Sequence, residues 1–284
     1  MNQYVLALLL GVVEGLTEFL PVSSTAHLRI TEALLGLDLA DPFWKTFSIV
    51  IQLGAILCLP IYFRARLAAF LVTFPRGARG DRTALTHPLG LTLVAFVTTA
   101  VPAFLLTKVI GKHLESLVVM GTSLVVGGVV MWVVDTLVER GRPATDDMEK
   151  MSLGQAVWIG ACQVLSAVFP GTSRSMATIT AGMLAGMTRP AALEFSFFLS
   201  IPTMVVATLY DLLKSLRPHG DAGAIGAMPH TAQAWLVIAI GFVVSFVVAY
   251  GVVAWFMAWV RRRGFALFAI YRLVVGAAVL WWAR

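Results

Sequence analysis

The stretch GVVEGLTEFLPVSS at residues 11–24 lies without a gap over GACQVLSAVFPGTS at residues 160–173, 149 positions further on. Each copy is an apolar run that stops at a proline, Pro21 or Pro170, followed by small and hydroxyl-bearing residues. Proline lacks the backbone donor and clashes with the preceding turn, so a helix breaks there. Around these breaks the apolar segments 3–20 and 24–36, and 152–169 and 175–188, form two interrupted pairs. A full crossing needs about 20 residues at a rise of ~1.5 Å each. Non-helical backbone at membrane depth persists only when buried in protein or beside water. Each pair is therefore expected to be a re-entrant helical hairpin.

Working outward, the segments 43–63, 88–107, 116–137, 191–213, 233–260 and 265–283 are long enough to cross. The expected fold is an all-α integral membrane protein of ten helical segments, six transmembrane helices plus two re-entrant hairpins. One residue out of the register of the breaks, Phe47-Ser48 recurs as Phe195-Ser196, and Tyr62 as Tyr210. A hairpin followed by three crossings returns the chain to the opposite side, so the repeat is expected to be inverted in topology. Residues 1–284 then form a single membrane domain. Its first repeat is 1–138 and its second 152–284, joined by a cytoplasmic loop at 139–151.

Composition supports that reading. Of 284 residues 59% are hydrophobic and 13% charged, against about 25% charged in soluble proteins, and the mean hydropathy is +0.86. This excludes a soluble enzyme, a disordered chain and a disulfide scaffold. Continuous rather than alternating apolar runs argue against a membrane barrel. The net charge of +6 reads as an insertion signal, and no nucleic-acid partner is expected. One side receives Arg64, Arg66, Arg76, Arg79, Arg82, Arg140, Arg142, Lys150, Arg189, Arg261, Arg262 and Arg263; the other receives Lys45, Lys108, Lys112, Lys214, Arg217 and Arg284. The positive-inside rule puts the richer side in the cytoplasm and both termini outside. Cys58 and Cys162 read as small core hydrophobes. Met1–Leu10 lacks the basic region of a cleaved signal peptide, so the first segment is expected to remain.

The chemistry concentrates at the breaks. Glu14 and Glu18 are four apart and share a helix face. Two carboxylates in an apolar run need a cation, a proton or water. Mg²⁺ suits such a pair, because it takes one or two carboxylates, keeps waters and bridges to phosphates. One of the two could instead act as a general base, and a structural arginine could neutralise them. Ser23, Ser24, Thr25 and His27 follow, a hydroxyl and base cluster of the kind found in nucleophilic sites, although helix capping after Pro21 also uses serine. In the second break, Ser173, Arg174 and Ser175 at a helix start form an anion site, and an Arg174 pair with Glu14 or Glu18 would bring both breaks together. Gln52, Gln163 and Glu194 are either cavity residues or interhelical bonds. Arg29 and Arg272 are expected to snorkel, Asp135 and Asp211 to be solvated, and His219 and His230 to be loop residues.

The segments EGLTEFLPVSSTAH (14–27) and PGTSRSMAT (170–178) resemble the two signature regions of the undecaprenyl-diphosphate phosphatases, the bacterial bacitracin-resistance membrane family. The resemblance extends over nearly the whole chain in segment order. It implies hydrolysis of undecaprenyl (C55) diphosphate to the monophosphate, recycling the lipid carrier of peptidoglycan. It also implies a divalent cation, Mg²⁺ or Ca²⁺, a polyprenyl diphosphate substrate in the bilayer, and a site opening to the periplasmic side of the bacterial inner membrane.

Position by position, the family's glutamates fall on Glu14 and Glu18, its hydroxyl and histidine on Ser24 and His27, and its phosphate-binding residues on Ser173, Arg174 and Thr178. Together with the reading above, the expected catalytic set is Ser24, Glu18, His27 and Arg174. Ser23, Thr25, Ser173, Arg174, Ser175 and Thr178 are expected to bind phosphate, and Glu14 and Glu18 to hold the metal. The favoured nucleophile is Ser24, polarised by Glu18 or activated through His27; attack by His27 or by metal-bound water are the alternatives. Ala26 and Met176 stand where the family usually has glycine, a cost if either backbone must be left-handed. A transporter or flippase of a phosphorylated polyprenyl lipid is the competing class, since broken helices and inverted repeats also build carriers. The oligomeric state stays open, a homodimer being one arrangement.

Overall fold

The computed structural model of the chain describes residues 2–38, 41–106, 116–140, 143–216 and 231–283. Lys108, Lys112, Arg142, Arg217, His219, His230 and Arg284 lie outside the described residues, as do the side chains of Arg140 and Lys214. Among the described residues the architecture is all-helical, with one isolated bridge between Thr145 and Met187. In chain order the helices are α1 (Gln3–Thr17), α2 (Ser24–Leu34), α3 (Pro42–Ile56), α4 (Cys58–Tyr62), α5 (Arg64–Thr73), α6 (Pro88–Leu105) and α7 (Leu117–Arg140). A 3₁₀ turn (Met148–Lys150) follows, then α8 (Leu153–Val168), α9 (Arg174–Leu184), α10 (Arg189–Leu216), α11 (Ala232–Val260) and α12 (Ala266–Trp282).

Among the described residues, five stretches are long and apolar enough to cross a membrane: Pro42–Tyr62, Pro88–Leu105, Leu117–Val138, Arg189–Leu213 and Ala232–Val260. The sixth expected crossing, 265–283, is the 17-residue helix α12. All ten expected segments are helical. The first of these stretches is interrupted at Leu57, because Pro60 has no N–H to bond the carbonyl one turn back. Helix α5 lies between the expected segments 43–63 and 88–107, where no helix was expected, and α7 runs to Arg140, past the expected boundary at 138.

The breaks are buried in the bundle, while α1 and α8 each keep an exposed apolar face. Helix α1 packs along α11 and α8 along α6, while α3 packs on α11 and α10 on α6; α7 lies against α12 and α3 against α10. The first two pairings rest on glycine. A Cβ at Gly11 would meet Gly241 O of α11 at 2.8 Å, and one at Gly160 would collide with Ala95 O of α6. Close backbone approach through small residues is how membrane helices gain packing without a hydrophobic driving force.

At one end of the bundle charged groups tie the connections together. Arg66 pairs with Asp147 at 2.6 Å and with Glu194, and Arg189 with Asp135 at 2.7 Å. Asp135 was expected to be solvated; it is buried, and its Oδ2 also accepts from the Phe265 N–H at 2.8 Å. It thus satisfies a backbone donor where α12 begins. Glu194 and Gln163 are likewise structural partners. Glu194 meets Arg66, and Gln163 Nε2 donates to Thr99 (3.1 Å) and Thr203 (3.3 Å).

Candidate active site

Both breaks end in the same local device. After α1 the chain turns through Pro21 and Val22 to Ser23, whose backbone has φ 74°, ψ 94° and whose side chain caps α2 by accepting from the Ala26 N–H. After α8 it turns through Pro170 and Gly171 to Ser173, with φ 70°, ψ 121°, capping α9 by accepting from the Met176 N–H. Among the described residues these two serines are the non-glycine residues with positive φ, a conformation costing on the order of 1–3 kcal/mol and concentrated at functional sites. Ala26 and Met176, the positions flagged in sequence, are ordinary helical residues of α2 and α9. The strain is three residues earlier in each case. The caps also shift the correspondence by one residue: Ser23 matches Ser173, so Ser24 stands opposite Arg174. At Gly171 the positive φ of 92° coincides with close approach to α7, where a Cβ would lie 2.5 Å from Met120 O. Only glycine fits both demands.

The two breaks meet. Ser24 Oγ donates to Glu18 Oε2 at 2.5 Å, and Arg174 Nη2 donates to Glu18 Oε1 at 3.0 Å. One carboxylate therefore holds the hydroxyl of the first break and the guanidinium of the second. Ser175 Oγ donates to Leu20 O at 2.9 Å, a second direct tie, and lies 3.0 Å from Ser173 Oγ. All of Glu18, Ser24, Ser173 and Ser175 are buried, and Arg174 is 10% exposed at its side chain. In so dry a place a hydrogen bond to a charged group is short and strong.

What the cluster leaves unsatisfied is as informative. Among the described residues, Arg174 Nε and Nη1 are buried without a hydrogen-bond partner, and so are both carboxylate oxygens of Glu14. Orphaned charged donors are costly, and here they sit beside a hydroxyl that already gives its proton to a carboxylate. Glu14 is fully buried, and its charged neighbours are Glu18, Arg174 and Glu32. Two unpartnered oxygens one helical turn from a second carboxylate fit a hard divalent cation of the Mg²⁺ or Ca²⁺ type.

The remaining expected residues fall elsewhere. His27 does not link Glu18 to Ser24: Nδ1 bonds Ser23 O at 2.7 Å and Nε2 bonds Tyr271 Oη at 2.7 Å. Because a carbonyl only accepts, Nδ1 carries the proton and Tyr271 donates to Nε2. Thr178 Oγ1 is taken by Arg174 O (2.9 Å) and Ser196 Oγ (2.6 Å), so it orients α9. Thr25 is exposed on the first turn of α2. Arg29 pairs with Glu32 at 3.1 Å. Arg272 was expected to snorkel; it is fully buried and donates to the carbonyls of Pro21, Ser123 and Gly171. Tyr271 is not singled out by the sequence, and Arg272 is assigned there to the membrane edge rather than to the breaks. The available signal was an arginine placed among small and apolar residues.

Comparison with known proteins places the chain in a family. The family described as Bacitracin resistance protein BacA matches residues 7–278. The chain is 72% identical over 284 residues to the undecaprenyl-diphosphatase of Koribacter versatilis, covering 100% of this chain and 99% of that protein. It is 46% identical to undecaprenyl-diphosphatase 2 of Paramagnetospirillum magneticum (95% of each chain) and 44% identical to the undecaprenyl-diphosphatase of Thermus thermophilus (95% and 94%). With a match across nearly its whole length, this multi-pass membrane chain belongs to the BacA family.

Proposed function

We propose that this chain hydrolyses undecaprenyl diphosphate to undecaprenyl phosphate and inorganic phosphate, recycling the lipid carrier of peptidoglycan, in the bacterial inner membrane. The observation that carries the reading is the Ser24–Glu18–Arg174 cluster, with Arg174 Nε and Nη1 left free for an anion. Naming of its relatives as undecaprenyl-diphosphatases supports the substrate.

In this mechanism Arg174 holds non-bridging oxygens of the terminal phosphoryl group with its two free donor nitrogens. Glu18 accepts the Ser24 Oγ proton as that oxygen attacks the terminal phosphorus. The bond to the bridging oxygen breaks, and the lipid monophosphate leaves. Glu18 gives the captured proton to the departing monophosphate; water then cleaves the seryl phosphate, with Glu18 taking a proton from the attacking water and returning it to Ser24 Oγ as that oxygen leaves. Positioning and charge stabilisation dominate such transfers. Glu14 and Glu18 would hold a divalent cation, which when bound would neutralise charge on the diphosphate. Ser23 and Ser173 act by setting the two turns, and His27 by bracing the Ser23 carbonyl.

The same reading includes an inverted repeat of six crossings and two re-entrant hairpins. Its support is the sequence repeat, the matched serine caps, and the paired packing of α1 on α11 with α8 on α6. Both termini then lie on the periplasmic side and the site opens there. The grouping of Arg66, Arg189 and their acidic partners at one end is in keeping with a cytoplasmic face opposite.

The test is phosphate release from undecaprenyl diphosphate by purified protein in detergent with Mg²⁺ or Ca²⁺. Wild type should release phosphate, and Ser24→Ala and Arg174→Ala should not. Full activity in both variants removes the reading. A carrier of the same lipid would instead move it between leaflets without releasing phosphate.

A further inference from the structure

Among the described residues Arg272 has no hydrogen bond to Ser24 or Glu18 and no carboxylate pairs with it, yet it is fully buried. A lone buried cation is expensive. Its compensation comes from three carbonyls of three separate segments: Nη1 donates to Pro21 O at 3.0 Å, and Nη2 to Ser123 O at 3.0 Å and Gly171 O at 3.1 Å. Pro21 and Gly171 each precede a positive-φ serine by two residues, Ser23 and Ser173. They also follow the C-termini of α1 and α8, the ends where a helix favours positive charge. Ser123 belongs to α7, and on the same helix Gly127 makes room for the guanidinium, since a Cβ there would collide with Nη2.

We propose that Arg272 is a positioning residue that locks the two breaks to each other and to α7. Through that lock, Ser24 and Arg174 are held at the separation one diphosphate requires. This rests on the phosphatase reading and deepens it. A planar fork can serve three acceptors set in different directions, whereas an ammonium on a flexible stem cannot reproduce that geometry. Without the fork, the carbonyls of Pro21 and Gly171 lose a buried donor and each break relaxes independently.

Two variants test it. Arg272→Lys keeps the charge and loses the fork; Gly127→Ala keeps the arginine and pushes it from its seat. Hydrogen–deuterium exchange is read on peptides covering 19–24 and 169–174, and steady-state phosphate release is read on the same folded preparations. Exchange should accelerate in both breaks together, while kcat falls by about 10-fold or more and KM stays within about twofold, the pattern of misplaced reacting groups. Unchanged exchange at either break, or an unchanged kcat per folded molecule, overturns the proposal. Should the lysine variant not be recovered folded, Gly127→Ala carries both readouts. A wild-type protein that releases no phosphate would sink the phosphatase reading instead, while the exchange result would still decide whether Arg272 locks the breaks.

Discussion

The first and second breaks share a backbone and differ in charge. Each places a serine at positive φ ahead of a helix, but the next residue is Ser24 in one and Arg174 in the other. One turn and more upstream, Glu14 keeps two unpartnered carboxylate oxygens, whereas Gln163, which overlies it in the repeat, donates to Thr99 and Thr203. Two identical tips would oppose like with like, acid against acid or arginine against arginine. The divergence at these few positions makes one tip an acceptor and hydroxyl face and the other a donor face, joined at Glu18. The repeat supplies the scaffold, and its broken symmetry supplies the chemistry.

That contrast can be broken most severely at its two tips. Ser24→Ala and Arg174→Ala should each lower phosphate release about 10³-fold or more, and Arg174→Lys should recover only part, because the fork is lost. Near-normal turnover in either alanine variant would mean that the two tips do not act on one phosphate. Next in size is Glu14→Gln, which makes the first break resemble the second. Activity at fixed Mg²⁺ should fall about 10²-fold, and the Mg²⁺ concentration for half-maximal activity should rise; an unaltered Mg²⁺ titration would take Glu14 out of the cation site.

Tyr271→Phe sharpens the assignment of His27. It removes one neutral hydrogen bond to Nε2, worth ~1 kcal/mol, so kcat should drop about fivefold with the nucleophile intact. Recovery of a phosphorylated His27 from a rapidly quenched reaction would transfer the attack from Ser24 to the histidine.

The smallest effect lies outside both breaks, at His87. This buried residue caps α6, accepting from the Leu89 N–H at 3.2 Å, with Nε2 3.3 Å from Thr73 Oγ1. Burial, then the Arg82 charge, holds its pKa below the ordinary 6.5, against a weaker pull from Glu149. The unfolded chain therefore takes the proton first, so this contribution to stability is complete above about pH 6.5 and is lost as pH falls toward the lower folded value. A helix cap is worth ~1 kcal/mol, or about 2–4 °C in a chain of this size. Thermal melts from pH 7.5 to 5.0 should show that acid-side loss in wild type. It should be reduced in His87→Asn, which caps without titrating; identical pH dependence in the two would dismiss the role of His87.

Much of this was legible because intramembrane charge and proline leave few choices. Pro21 and Pro170 marked the breaks, and Glu14, Glu18 and Arg174 had to find partners in an apolar setting. The finer geometry was hidden for physical reasons. Placing the left-handed cap at Ser23 rather than Ser24 depends on one backbone dihedral, φ 74°, which an ungapped repeat aligned by its prolines does not encode. His27 finds Tyr271 across 244 positions, and a tyrosine near the start of an apolar helix carries no mark of that partnership. Arg272 looked like a residue within reach of water; it takes Gly127, on another helix, to admit it to the interior. Asp135 likewise finds its partners far along the chain, in Arg189 and the backbone N–H of Phe265.

The central claim is that Ser24 and Arg174 grip the same phosphate. Ser24→Cys protein can be exposed to a small thiol reagent with and without undecaprenyl diphosphate, and modification at residue 24 followed by mass spectrometry, alone and combined with Arg174→Ala. The account predicts that the lipid slows modification of Cys at position 24 and that this protection disappears when Arg174 is removed. Equal protection with and without the arginine would contradict it.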